Sequence, residues 1–144
     1  MSNNNQSPVV LITGAARRIG AVIARIFHSN GYQVVIHYNN SAAAADKLCE
    51  DLNAQRDNSA LLVQADLNDM AGLQKIADLV SSIGRLDVLI NNASSFYPTP
   101  LENCDDQQWN DLMNSNLKGP FFIAQKLAPL LIESQGSMVN ISDM

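Results

Sequence analysis

The sequence predicts an α/β protein with a doubly wound parallel sheet covered by helices on both faces, in three α/β/α layers. Short runs that are almost continuously apolar and rich in β-branched residues alternate with segments of helical periodicity. Strands that are apolar along their length are typical of parallel strands buried on both faces, and right-handed crossovers then wind the sheet. At 144 residues and 47% hydrophobic residues, the chain has the size of one domain with a core.

The strands are predicted from their apolar, β-branched character and from the turn residues that bound them. The first run ends at Gly14, and the second, QVVIHY, ends just before a polar NNS segment. The third and fourth, ALLVQA and LDVLI, are each followed by Asp or Asn, which favour turns. The predicted strands are residues 9–13, 33–38, 60–65, 86–90 and 137–141.

The helices between these strands are predicted from periodicity, caps and breakers. Gly31 ends the first helix, and Ser41 is placed to cap the second, in which four consecutive alanines favour the helix. Pro120 is expected to bend the last helix or to lie where a neighbour relieves the lost hydrogen bond. The first helix is predicted to carry on one face Ile19, Val22, Ile23, Ile26 and Phe27. The predicted helices are residues 19–29, 42–55, 69–83, and 105 or 106 to 133.

Composition excludes several classes of function. The net charge of −5, without a dense basic stripe, argues against nucleic-acid binding. Cys49 and Cys104 are far apart without metal-ligand spacing, so we expect free thiols of a reducing compartment and no metal site. Residues 1–7 are predicted to be a flexible tail before a cytoplasmic domain, and no apolar run reaches the roughly 20 residues that cross a bilayer.

The chain ends soon after the fifth predicted strand, at Met144. Ligand-binding loops of open parallel sheets follow the carboxyl ends of the strands. We therefore expect residues 1–144 to be a single, incomplete domain that stops after the fifth strand.

The segment TGAARRIG, from Thr13 to Gly20, follows the first strand and opens a helix. Gly14 allows a sharp turn, Gly20 allows close packing of helix and strand, and the helix N-terminus offers N–H groups to a pyrophosphate. This context predicts a dinucleotide site of the Rossmann type, and the alternative is a glycine turn that only joins strand to helix.

Three motifs in this order resemble the short-chain dehydrogenase/reductase family: Thr13-Gly14…Gly20, Asn91-Asn92-Ala93, and Asn116-Leu117-Lys118-Gly119. The family usually has a middle glycine where this chain has Arg18. The segments HYNNSAAAA, NNASSFYPTPL and VNISDM are further similar to the pteridine reductases within that family. The resemblance covers essentially the whole chain and implies an NADP(H)-dependent reductase of biopterin-type or folate-type rings.

The second strand predicts the form of the cofactor. It ends His37-Tyr38-Asn39-Asn40-Ser41 without the carboxylate that binds the ribose 2′-OH of NAD, so NADP(H) is favoured. By resemblance, Asp66 accepts a hydrogen bond from adenine, although from the residues alone it is equally a helix N-cap. The predicted cofactor-binding residues are Gly14, Arg17, Arg18, Ile19, Gly20, His37, Tyr38, Asn39, Asn40, Ser41, Asp66, Leu67, Asn92, Ala93 and Ser94.

The aromatic pair after the fourth strand predicts the substrate side. A flat pterin stacks well on an aromatic face, and the resemblance gives this role to Phe96, with polar contacts from Ser94, Tyr97 and Arg18. The alternative is that Phe96 and Tyr97 fill the core or a subunit contact.

Two further residues are predicted to be catalytic. Asn is unfavourable within a helix, and the resemblance implies that Asn116 organises a proton-relay water. Asp143 stands where most members have Ser, which is the pteridine reductase pattern and adds a carboxyl group for substrate binding and proton delivery. Otherwise, Asp143 is a loop residue.

The Tyr-x-x-x-Lys pair of the family has no counterpart in this chain, so we expect little or no reductase activity from residues 1–144 alone. Two other functions stay open: a carbonyl reductase, such as one for 3-oxoacyl carrier-protein esters, and a non-catalytic dinucleotide-binding module. The resemblance implies a homotetramer, built partly on the helix that contains Trp109 and Asn116.

Overall fold

Within residues 6–142, which the computed structural model describes, parallel strands form one sheet. Its strands are β1 Val9–Ile12, β2 Gln33–Tyr38, β3 Ala60–Gln64, β4 Val88–Asn91 and β5 Ser137–Asn140. Their spatial order is β3-β2-β1-β4-β5, so the chain winds outward in both directions from β1 and β4. The doubly wound fold is confirmed, and its switch point lies between β1 and β4, where such sheets bind ligands. Asp143 lies outside the described residues.

Helices connect successive strands, as the sequence predicts. Their bounds are α1 Arg18–Ser29, α2 Ala42–Gln55, α3 Met70–Ile83, α4 Asp106–Met113 and α5 Gly119–Glu133. Asp69 is the N-cap of α3 rather than its first residue, since its carboxylate accepts from the Ala71 N–H at 3.2 Å. In the part of the chain that the structure describes, no helix is long and apolar enough to cross a membrane.

The long helix predicted over residues 105 or 106 to 133 is wrong as one continuous helix. A π-helical turn, Asn114–Lys118, separates α4 from α5, and a 3-10 turn, Leu101–Asn103, precedes α4. Pro120 lies in the first turn of α5, where a missing N–H is tolerated, so it does not bend the middle of a helix. The wide turn changes the helical phase at this point.

The core has two layers, one on each face of the sheet. Helices α1 and α2 cover one face, and α3 and α5 cover the other. The apolar face predicted for α1 is not buried as a whole: Ile19, Val22 and Ile26 are more than half exposed. The buried residues of α1 include the small Gly20 and Ala24, which let the helix approach its neighbours closely.

An ion pair at the amino edge of the sheet joins β1 to β4. The Asp87 carboxylate accepts from the Val9 N–H at 2.7 Å and from two nitrogens of Arg85 at 2.8 Å each. Burial alone would raise the pKa of Asp87, but the Arg85 and Val9 donors outweigh it and lower the pKa below 3.8. The main chain of Asp87 also bonds to Val9 and, in β5, to Ser137.

We expect Asp87→Asn to lower the free energy of unfolding by about 1–3 kcal/mol at pH 7, because a partly buried, charge-assisted site loses its anion. The lowered pKa means that this stabilisation is complete above pH 3.8 and is lost as the pH falls through the folded value. Urea denaturation of both proteins at pH 7 and near pH 3 measures the difference.

The matched control is Asp51→Asn, which removes a solvent-exposed pair with Arg25 of similar length, 2.9 Å. The free energy of unfolding should change little in this variant, because exposed ion pairs contribute little to stability. Equal stability of the Asp87→Asn variant and the wild type at pH 7 would contradict the role of this ion pair.

Candidate functional site

One buried hydroxyl group joins the carboxyl ends of β1 and β4 through hydrogen bonds. Thr13 is 2% exposed, and its Oγ1 accepts from the N–H groups of Asn92 and Ala93, at 3.0 Å each. In return, the Asn92 amide donates to the carbonyl oxygens of Thr13 at 2.9 Å and Gly14 at 3.1 Å. The glycine turn and the NNA motif therefore form one unit. Thr13 was not predicted as a site residue; its position between an apolar strand and a glycine is the signal for it.

Both glycines of the turn are required by contacts. Gly14 has φ +62°, and a Cβ there would lie 2.9 Å from the Cα of Ala93. A Cβ on Gly20 would lie 2.5 Å from the Gly14 carbonyl oxygen. The backbone is packed so closely at both positions that only glycine, which has no Cβ, fits there.

The start of α1 fits a pyrophosphate. The N-cap residue, Arg17, has an extended backbone, and within the described chain its side chain makes no capping hydrogen bond. The first N–H groups of a helix have no partner within it, and together with the helix dipole they favour an anion. The cradle of glycines and open N–H groups is thus compatible with a bound dinucleotide.

Arg18 adopts a strained backbone in this turn. Its φ is +49°, in the left-handed region, at the position where the family usually has glycine. A side chain in this conformation costs about 1–2 kcal/mol. Strain of this kind persists where the surrounding structure enforces it, and it is enriched at functional sites.

The polar residues that end β2 lie in different environments. His37 is 2% exposed, and both of its ring nitrogens are hydrogen bonded within the protein, so they are not free to contact a phosphate. Asn39 and Asn40 are exposed, and Tyr38 and Ser41 are half-buried. Within residues 6–142, the Ser41 side chain makes no capping bond to α2, contrary to the prediction, so its hydroxyl is available to a ligand.

Asp66 is not a helix cap. It is exposed, and its Oδ1 accepts from the Asn68 N–H at 2.9 Å, while Asp69 caps α3. Leu67 is buried, and its carbonyl oxygen would lie 3.0 Å from a Cβ on Gly119. Close packing at Gly119 thus holds the loop that carries Asp66 against the start of α5.

Asn116, in the π-helical turn, holds the aromatic loop. Its Nδ2 donates to the carbonyl oxygens of Ser95 at 2.8 Å and Leu112 at 2.9 Å, and its Oδ1 accepts from the Ser95 N–H at 3.2 Å. The Asn116 amide thus bonds to both main-chain groups of Ser95, its N–H and its carbonyl oxygen. The wide turn aims the side chain of Asn116 at the loop.

The two aromatic residues of the loop differ. Phe96 is 87% exposed, so it does not fill the core, whereas Tyr97 is half-buried. Burial raises the pKa of Tyr97, and so does the nearby Asp111 carboxylate. Asp111 accepts from the Asn68 amide at 3.0 Å, a bond that joins α4 to the loop after β3.

A groove of about 530 Å³ lies beside this loop. It is lined by Tyr97 and by acidic and amide side chains of α4 and its N-cap, including Asp105, Asp106 and Asp111. Its negative charge would repel the phosphates of a dinucleotide. The glycine turn is therefore a better candidate than this groove for a dinucleotide site.

The family model for short chain dehydrogenase matches residues 8–144 of the sequence. This chain belongs to the short-chain dehydrogenase family. Family membership implies a nicotinamide dinucleotide cofactor, and the glycine turn and the start of α1 are compatible with one.

Several oxidoreductases are similar to this chain. Pteridine reductase 1 of Leishmania tarentolae is 38% identical over 180 residues, covering 100% of this chain and 62% of that protein. The 3-oxoacyl-[acyl-carrier-protein] reductase FabG of Staphylococcus aureus is 35% identical over 136 residues, covering 93% of this chain and 55% of that protein. An uncharacterized oxidoreductase of Methylorubrum extorquens is 31% identical. The chain thus spans a little over half the length of these relatives.

We expect Gly14→Ala to destabilise the fold by about 2–4 kcal/mol and to abolish dinucleotide binding, because the methyl group meets Ala93 and the positive φ adds strain. The matched control is Gly31→Ala, at φ +88° but with no atom of the described residues within 4 Å of its Cβ, so it carries the strain without the contact. Thermal unfolding and NADPH titration of both variants measure the difference. If both variants lose equal stability, the close approach of Gly14 to Ala93 is not the cause.

We expect Arg18→Gly to be about 1 kcal/mol more stable to urea than Arg18→Ala, because alanine keeps the Cβ that left-handed backbone disfavours. Both variants remove the guanidinium and should bind NADPH more weakly. At Arg17, where φ is −142°, we expect Arg17→Gly to be less stable than Arg17→Ala. Glycine relieves no strain at this φ and only increases the conformational entropy of the unfolded chain. The same order of stability at both positions would show that Arg18 is unstrained.

Proposed function

We propose that this chain is part of an NADPH-dependent pteridine reductase, acting on C=N bonds of biopterin, dihydrobiopterin or folate-type rings. The observation that carries the proposal is Phe96, an aromatic ring that is 87% exposed in a loop held in place by Asn116. Such exposure of a large apolar ring leaves its face open to a ligand.

The surroundings of Phe96 suit a flat, polar heterocycle. The Ser94 side chain is exposed beside it, and the loop begins at Ala93, which is bonded to Thr13 next to the glycine turn. A bound nicotinamide would supply the hydride. The Phe96 ring would orient the acceptor by stacking, and Arg18 would reach its edge from the turn.

The end of β2 supports NADPH rather than NADH. It lacks a carboxylate, its exposed amides are Asn39 and Asn40, and the Ser41 hydroxyl is not used as a cap. Arg17 and Arg18 are exposed in the neighbouring turn. Together these groups offer donors and positive charge to a 2′-phosphate.

The proposed proton delivery assigns different parts to Asn116 and Asp143. Both amide hydrogens of Asn116 are donated to carbonyl oxygens of Ser95 and Leu112, so its side chain positions the loop. If Asn116 organises a relay water, it would therefore have to do so through a group other than its amide hydrogens. Asp143 is proposed to work with a tyrosine of the family pair, and both assignments stay predictions.

A homo-oligomer is proposed because α4 and α5 expose apolar side chains. Trp109, Leu117 and Phe121 are each more than half exposed, and Met113 is 37% exposed. They recur every four residues through the π-helical turn, so a second copy of the chain is the proposed cover.

Cytoplasmic location also stays a proposal.

The relatives support one alternative enzyme, a 3-oxoacyl carrier-protein reductase, because FabG is nearly as similar as the pteridine reductase. The strained Arg18 and the exposed Phe96 favour the pterin. A non-catalytic dinucleotide-binding module is the second alternative. It predicts cofactor binding without turnover of any substrate.

We expect Phe96→Ala to lose at least about tenfold in kcat/KM for dihydrobiopterin, as removal of a stacking face is worth about 1–3 kcal/mol on a flat ring. Stability and NADPH binding should be unchanged because Phe96 is exposed. NADPH oxidation by the complete encoded protein is followed with dihydrobiopterin, dihydrofolate and a 3-oxoacyl thioester.

The matched control is Ile132→Ala, which removes an apolar side chain that is 76% exposed near the end of α5, at the opposite edge of the sheet. It should leave turnover unchanged. Turnover of the thioester alone would establish the carbonyl reductase, and turnover of none of the substrates would support the binding module.

A further inference from the structure

His37 stands behind the glycine turn with both ring nitrogens hydrogen bonded. The Gly14 N–H donates to Nδ1 at 3.1 Å, and Nε2 lies 3.0 Å from the carbonyl oxygen of Ala65. An amide N–H can only donate, and a carbonyl oxygen can only accept. These partners fix the ring as neutral imidazole with its hydrogen on Nε2.

The bond from His37 sets the turn at its sharpest point. Gly14 has a left-handed backbone, and its own carbonyl oxygen accepts from the Asn92 amide at 3.1 Å. The peptide groups on either side of its Cα are thus held by two different side chains. An imidazolium would carry a hydrogen on Nδ1, facing the Gly14 hydrogen, and could not accept this bond.

We propose that neutral His37 is a positioning residue for the dinucleotide. Its Nδ1 acceptor holds the glycine turn in the conformation that receives the pyrophosphate, and protonation of the ring releases the turn and weakens cofactor binding. The proposal rests on dinucleotide binding, which the family implies, and it does not depend on NADPH over NADH or on the pterin.

Among the charged residues on the neighbouring elements, Asp66 influences the ring of His37. These charged residues are Asp66 and Asp69 after β3, Arg17 and Arg18 in the glycine turn, and Lys75 and Asp78 on α3. Burial is the largest influence and lowers the pKa of His37 below 6.5, while the Ala65 bond and the charge of Asp66 partly offset it. Lys75 and Asp78 are exposed to solvent.

The sign of the pH effect follows from this direction. Above pH 6.5 the ring is neutral in both the folded and the unfolded chain, so the stabilisation by His37 is complete there. As the pH falls below 6.5, the unfolded chain takes up the proton first, and stability decreases until the folded value is passed. Cofactor affinity falls below that folded value, where the free folded protein takes up a proton that the bound turn excludes.

Two amide variants separate the two hydrogen bonds. In His37→Asn the side-chain oxygen replaces the Nδ1 acceptor, and in His37→Gln the side-chain nitrogen replaces the Nε2 donor. NADPH binding is titrated by fluorescence at pH 7.5 and at decreasing pH until the His37 imidazole of the wild type is protonated, with NADH in parallel. We expect His37→Asn to bind within about twofold of the wild type at pH 7.5, and His37→Gln to bind about threefold to tenfold more weakly, as one hydrogen bond is worth about 0.5–1.5 kcal/mol.

The pH response should separate the wild type from His37→Asn. On acidification to well below the folded pKa of His37, the wild type should lose at least about threefold more affinity than His37→Asn, which cannot titrate. The 2′-phosphate of NADPH itself titrates near pH 6, and comparing the two proteins on the same ligand cancels that effect. Imidazole ¹⁵N shifts of the cofactor-free protein should report the Nε2–H tautomer for His37 at pH 7.5.

The control is His28→Asn, since the chain has two histidines. His28 is also buried, but it bonds to Ser59 at 2.7 Å at the opposite edge of the sheet, so its loss should leave the pH response of binding unchanged. Equal binding by the Asn and Gln variants, equal pH responses of the wild type and His37→Asn, or an Nδ1–H tautomer would each overturn the proposal. Binding of NADH alone would contradict the NADPH assignment, while the Asn–Gln comparison on NADH would still decide the role of His37.

Discussion

The hydroxyl of Thr13 is the contact on which the candidate site depends. It lies where the sheet changes its winding direction, and it receives two N–H groups from the segment that follows β4. Because it is buried, both bonds are made without competition from water, and leaving either N–H unpaired would be costly. The glycine turn, the start of α1 and the aromatic loop all extend from this one junction.

The two edges of the sheet use different chemistry. The amino edge is closed by the ion pair of Arg85 and Asp87, whereas the carboxyl edge is held by a hydroxyl, two amides and a neutral imidazole. Neutral groups fix the backbone there without cancelling the positive end of α1 or the charges of Arg17 and Arg18. The edge proposed to bind an anionic cofactor thus keeps its electrostatic attraction.

The alternation of strands and helices could be predicted because it depends on local periodicity, and so could the glycine turn, because Gly14 and Gly20 have specific backbone uses. The buried face of α1 could not, since Gly20 and Ala24 contribute closeness rather than apolar volume. The role of His37 was also hidden. It lies just before the exposed Asn39 and Asn40, and only the pairing of β2 with its neighbouring strands shows that its ring lies inside the protein.

The π-helical turn could not be predicted from the local sequence pattern. It depends on a residue far away in the sequence, Ser95 of the loop, to which the Asn116 side chain is hydrogen bonded. This turn has a consequence for how the segment can vary in length. Regular helix rotates by about 100° for each residue. Deleting one residue between α4 and α5 would swing Asn116 away from the loop or turn the exposed apolar row by the same angle. Substitutions on the outer face leave this phase intact, so the segment can change in composition while its residue count stays fixed.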